Sequence, residues 1–309
     1  MRTSRSAVLS TLVAGLLWGS SFTVIKFGLR SIDPFWFVFL RFAAASAAAL
    51  LVTAATGRAE AVGRLLRRPL VLWLGVSNAA GFVLQFNGQT MTSATNAALL
   101  IHSSTVLVAV GSRLAFGERF GAAKTTAVVV GMAGVYLVST GGRSPSLSAP
   151  SMVGDLLMLA AAVLWTFFIL LDKKIVSGGR VDVQALTAAM VTVTALAALP
   201  AAVVFGWGRA PELSLDLWPV AYTAIFCTVL PFFLWTWGLR HITATTSSVI
   251  MLAEVVFALA LAAVVLGERL SPWAMAGSAL ILAAVALVTR DRVEEAPAGP
   301  DVAPEVARD

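Results

Sequence analysis

The chain has 309 residues, 59% hydrophobic and 12% charged, against about 45–50% and 25% in soluble domains, which excludes an ordinary water-soluble globule. A sequence pI of about 10.2 does not point to nucleic acid, because the basic residues sit in short runs between apolar spans rather than on one face. One cysteine, Cys227, excludes an intrachain disulfide or a cysteine metal cluster. The two histidines, His102 and His241, are too few for a His-rich metal site, so no metal or cofactor is expected.

Apolar length predicts ten membrane spans, at roughly 7–27, 35–56, 70–90, 94–116, 122–139, 153–171, 183–205, 216–237, 243–266 and 273–289. Breakers fall between them, among them Asp33-Pro34, Arg67-Arg68-Pro69, Gly117, Gly141-Gly142, Gly178-Gly179, Pro219 and Pro272. The N-terminus looks like a signal peptide, but its apolar run passes Trp18-Gly19-Ser20-Ser21 and continues to about Phe27, so it reads as an uncleaved first span. A loop rich in Gly, Ser and Pro, 141–152, separates two five-helix repeats, 7–140 and 153–290. The acidic, Pro-rich tail 291–309 reads as a disordered cytoplasmic extension. With the N-terminus placed in the cytoplasm, sixteen of the 22 lysines and arginines fall inside and five outside, and Arg41 lies within a span. That bias predicts both termini inside.

The repeats are visible directly. Residues 88–120 and 238–270 align without a gap at a shift of 150, with seven identities in 33 positions: Gly88/Gly238, Ala94/Ala244, Thr95/Thr245, Val106/Val256, Gly117/Gly267, Glu118/Glu268 and Arg119/Arg269. Each copy reads as one apolar helix opened by Thr, Ser and Ala and ended by Gly. Five spans per repeat is an odd number, so the second repeat enters the membrane from the opposite side. Secondary transporters commonly have this inverted arrangement and bind substrate near the midplane between the halves.

Leu17-Trp18-Gly19-Ser20-Ser21-Phe22, Arg41-Phe42 and the repeated Gly-Glu-Arg resemble the EamA-type carriers of the drug/metabolite transporter superfamily over about residues 7–290. The resemblance implies an all-α, ten-helix carrier in a bacterial cytoplasmic membrane, often an exporter of amino acids, metabolites or drugs. It also implies a central cavity framed by the third, fourth, eighth and ninth spans with the first and sixth. The second repeat departs from the pattern, having Trp165-Thr166-Phe167-Phe168 where the first has Trp-Gly-Ser-Ser, so the halves cannot meet a substrate identically.

Candidate binding residues follow from polarity inside spans. Asn78, Gly81, Phe82, Gln85 and Gln89 share one face of the third span, and the aligned face of the eighth holds Thr228, Pro231, Phe232, Trp235 and Leu239. One amide-rich and one aromatic wall suit an amphipathic solute. Interhelical packing is the alternative reading. In the fourth span Asn96 and His102 share an arc with Thr95 and Ser103, and His102 has the chemistry to sense protons or bind a carboxylate, or else is a neutral histidine bonded to a neighbouring helix. Glu254, near the middle of the ninth span, suits proton carriage or pairing with a substrate amine, or else serves as a structural acid. Trp18 and Trp165 flank the cavity or pack. Arg41 is expected to snorkel outward or pair with Asp33, and Glu118-Arg119 and Glu268-Arg269 to fix turns.

No G-x-x-x-x-G-K-[ST] is present, so ATP drive from this chain is not expected. The expected function is a secondary carrier, exporter or facilitator for small amphipathic metabolites, not an enzyme. A channel-like pore is the alternative, with a membrane-embedded enzyme behind it. The expected partners are a small-molecule substrate and the bilayer, with proton coupling open. No nucleic acid is expected, and the oligomeric state is a monomer or weak homodimer.

Overall fold

The computed structural model describes residues 2–142, 152–178, 181–206, 217–266 and 270–290. The expected loop beyond Gly142, the Glu268-Arg269 turn and the tail 291–309 lie outside them. Among the described residues all regular structure is helical, and ten segments are long and apolar enough to cross a membrane. The first repeat contains α1 (Arg2–Gly28), α2 (Pro34–Ala55), a short α3 (Ala59–Leu66), α4 (Pro69–Met91), α5 (Ala94–His102), α6 (Ser104–Phe116) and α7 (Ala122–Thr140). The second contains α8 (Met152–Ser177), α9 (Val183–Phe205), α10 (Trp218–Ala224), α11 (Leu230–His241), α12 (Ala244–Met251), α13 (Ala253–Leu266) and α14 (Pro272–Arg290). A π-turn, Ile225–Val229, joins α10 to α11.

Local chemistry sets the helix starts. Asp33 Oδ1 accepts from the Phe35 amide at 2.9 Å, with Pro34 opening α2, and Asp182 Oδ1 accepts from the Ala185 amide at 3.1 Å at the start of α9. Ser93 and Thr243, one repeat apart, cap α5 and α12 in the same way, accepting from the Asn96 and Thr246 amides at 3.1 and 3.2 Å.

The structure departs from the sequence expectation at three spans. The fourth and ninth are each interrupted rather than continuous. Near their middles the ladder tightens to i→i−3 bonds, Val106 N to Ser103 O at 3.0 Å and Val255 N to Leu252 O at 3.1 Å, within one residue of the same repeat position. The sixth span does not stop at residue 171 but runs to Ser177. Asp172 and Lys173 look like a helix-ending charge run, yet both are buried and partnered. Asp172 Oδ2 accepts from Thr236 at 2.9 Å, and Lys173 Nζ donates to the Leu239 and Ile242 carbonyls at 2.7 Å, capping the open end of α11.

The two repeats do not form separate lobes. Packing recurs when the halves are exchanged: α4 lies on α8 as α11 lies on α1, α5 and α6 meet α8 as α12 and α13 meet α1, and α2 and α7 pair with α9 and α14. The main core threads α1, α2, α4, α8, α9 and α11, drawing on both repeats.

Candidate functional site

The site grows from a proline. Pro231 has no N–H, so the Cys227 carbonyl four residues earlier has no α-helical partner. The chain answers with the π-turn, in which the Leu230 amide reaches Ile225 O. The freed Cys227 carbonyl accepts from the Trp18 indole N–H at 3.0 Å and from Arg41 Nη2 at 2.5 Å. Arg41 Nε also donates to Thr228 Oγ1 at 2.7 Å, and its guanidinium sits 5.0 Å from the Phe82 ring centre and 5.6 Å from that of Phe42. Arg41 is 2% exposed. It therefore neither snorkels nor pairs with Asp33; the planar fork of donors finds a carbonyl and a hydroxyl from the other repeat instead.

Around this hub runs a connected set of aromatic rings. Phe42 meets Phe82 edge-on at 5.0 Å, Phe82 meets Trp165 at 4.9 Å, and Trp165 meets Phe168 at 5.5 Å. Phe168 stacks on Trp235 at 5.7 Å, and Trp18 contacts Phe232 and Trp235 at 5.1 and 6.1 Å. The polar edges of these rings are engaged. Trp165 Nε1 donates to Gln85 Oε1 at 2.9 Å, and Trp235 Nε1 donates to Ser247 Oγ at 3.0 Å.

The Trp-Gly-Ser-Ser stretch can now be read residue by residue. Trp18 faces the rings. A Cβ on Gly19 would stand 2.8 Å from the Glu254 carbonyl, so only glycine lets α1 lie this close to α13. Ser20 Oγ donates to Leu17 O at 2.7 Å and hydrogen-bonds the Tyr222 hydroxyl at 3.0 Å.

Glu254 opens α13 in its first turn, where the helix dipole favours a carboxylate. Its side chain keeps some accessible surface. Arg41 acts on it electrostatically without forming an ion pair. His102 closes α5 and is likewise partly accessible, its Nδ1 2.7 Å from the Ala98 carbonyl.

The remaining expected residues lie elsewhere. Asn78 is fully buried against α9, where its Nδ2 donates to Thr194 Oγ1 at 3.0 Å. It leaves α4 on nearly the same side as Gln85 but seven residues earlier, about 10 Å along the axis, and so meets a different helix. Asn96 Nδ2 approaches Asp155 Oδ1 and Oδ2 at 3.2 and 3.3 Å, and Thr92 donates to the same carboxylate.

Trp18, Gln85, Trp165 and Trp235 are thus brought together, Glu254 borders them through α1, and Asn78, Asn96 and His102 stand apart. Sequence reasoning gave Arg41 only a structural role and did not single out Phe168 or Asp155. For Arg41 the signal was present, an arginine inside an apolar span. A separate groove of about 380 Å³ opens between α1 and α11, lined by Leu9, Val13, Phe233 and Trp237. It is a shallow apolar surface feature, away from the polar groups described above.

Residues 5–140 and 152–290 each match the EamA-like transporter family. An "Uncharacterized transporter" of Archaeoglobus fulgidus is 30% identical over 277 residues, 89% of this chain and 94% of its own. A "Probable terminal-alkyne amino-acid exporter" of Streptantibioticus cattleyicolor is 25% identical over 288 residues, covering 92% and 93%. A solved crystal structure shares the fold with a TM-score of 0.78 at 20% identity, over 92% of this chain and 96% of that one.

Proposed function

The chain belongs to the EamA-like transporter family, and from that premise we propose that it is a secondary carrier for small amphipathic solutes, amino acids foremost, working by alternating access between its two repeats. The observation that carries this reading is the cluster of aromatic rings shared by both halves, beside a buried basic hub, Arg41, and a partly accessible acid, Glu254. Aromatic faces suit an apolar side chain, and a guanidinium and a carboxyl group suit a carboxylate and an ammonium. The relative named as an amino-acid exporter is consistent with that class.

In this reading Trp18, Gln85, Trp165 and Trp235 contact solute, Asn78, Asn96 and His102 lie outside that contact, and Glu254 holds an ammonium or carries a proton. The protein would lie in a bacterial inner membrane with both termini cytoplasmic, and no ATP site is needed.

Purified protein in liposomes, assayed against a panel of amino acids, amines and sugars, should show saturable flux for apolar amino acids. Flux that rises linearly with solute concentration would replace the carrier with a pore. Glu254→Gln separates the two roles: loss of pH-gradient-driven uptake with exchange intact identifies proton carriage, and loss of amine binding identifies substrate contact. Wild-type rates in both assays would make Glu254 a structural acid.

A further inference from the structure

We propose that the Glu118 carboxylate is the latch that closes one end of the transport pathway, holding α12 against α6 and α7 through its hydrogen bond with Thr245. The proposal rests on the carrier reading above.

A glutamate in a turn between spans ordinarily faces water. Glu118 is instead 5% exposed, turned inward after Gly117 ends α6 with φ +65°. This corrects the expectation that it merely fixes a turn. Its oxygens collect donors from three helices: Ser112 of α6, Lys124 Nζ of α7 at 3.1 Å, and Thr245 Oγ1 of α12 at 3.0 Å. The first two belong to its own repeat. Thr245, 127 residues away, is the partner that crosses to the other. Both Glu118 and Thr245 are among the identities between the aligned repeats.

The surrounding packing shows what this bond holds. α12 is buried at every residue from Ala244 to Ile250. Its repeat counterpart α5 keeps accessible surface at Thr95 and from Ala98 to His102. Among the described residues the exchange of halves fails around α12: α6 and α7 both pack on α12, but neither α13 nor α14 has comparable packing on α5. The bundle is therefore sealed at the end where Glu118 sits and looser at the opposite end. An alternating carrier must break the sealed contact and re-form it in each cycle. A single charge-assisted bond to a hydroxyl suits that task, because water can replace the Thr245 donor while Ser112 and Lys124 keep the carboxylate satisfied.

The test replaces Cys227 with Ala, places a single cysteine at Ser247 in α12, and measures its labelling by a membrane-impermeant thiol reagent applied to each face in turn. Thr245→Val removes the donor at constant size, and Thr245→Ser keeps it. Labelling from the Glu118 side should rise about tenfold in Thr245→Val, the effect of losing one hydrogen bond to a charged group, and return to the parent rate in Thr245→Ser. Equal labelling in all three proteins overturns the latch. So does a rise shared by Val and Ser, which would report loosened packing. No solute is needed, so failure of the flux assay and failure of the latch are separate results.

Discussion

At Glu118 burial disfavours the charged form. Hydrogen bonds from Ser112 and from a threonine hydroxyl at the start of α12, with the charge of Lys124, outweigh it, so the carboxyl is held below the ordinary glutamate value of 4.5. Lys173 also faces it from α8. A lowered folded value means that the stabilisation is complete above pH 4.5 and is lost as pH falls through the lowered value. In detergent, the difference in unfolding temperature between wild type and Glu118→Gln should stay constant from about pH 5.5 to 6.5 and shrink below about pH 4.5, where the carboxyl begins to protonate. A difference that varied between about pH 5.5 and 6.5 would mean that Glu118 titrates there and serves as a proton carrier rather than a standing latch. The same residue measures the reach of sequence reasoning. Gly117-Glu118-Arg119 is visible as a repeated turn, but nothing local announces that the carboxylate bonds a threonine 127 positions away.

At the scale of the element, the eighth span joins a covalent cause to a distant response. Pro231 strips the Cys227 carbonyl of its helical donor, and Trp18 and Arg41 supply replacements from the first repeat. Trp18→Phe should therefore cost about 1 kcal/mol of stability, the net value of one hydrogen bond. In a Pro231→Ala background the restored amide competes for the same carbonyl, and the penalty should shrink by about half or more. A double-mutant cycle on unfolding in detergent reads this coupling, since the loss of indole ring contacts is common to both backgrounds and cancels. Additive penalties would show that Trp18 stabilises only by packing. The proline was plain in the sequence, and its effect on the backbone was derivable from chemistry alone. The identity of the two donors was not, because they approach from other helices.

At the scale of the whole molecule, the packing of one repeat on the other follows an approximate exchange of halves, which the odd number of spans per repeat anticipates. Reporter fusions at Arg143 and Arg209 should report the outer side and those at Arg64 and Arg180 the inner side, as the Lys and Arg distribution requires. A cytoplasmic result at Arg143 would remove the inverted arrangement.

The sequence by itself determined the helical class, the ten spans, the duplication and the family. A bilayer core without water demands that each span satisfy its own backbone, so apolar length alone marks the elements. The tertiary structure decided which way each internal polar group turns. Lipid and protein interior are equally apolar, so hydrophobic periodicity cannot separate a lipid-facing side from a buried one. That is why Asn78 and Gln85, on one stripe of α4, meet different helices. It is also why Arg41 and Asp172-Lys173 misled: whether a charge in or beside a span reaches water or stays inside depends on donors and acceptors that only the assembled bundle brings within reach.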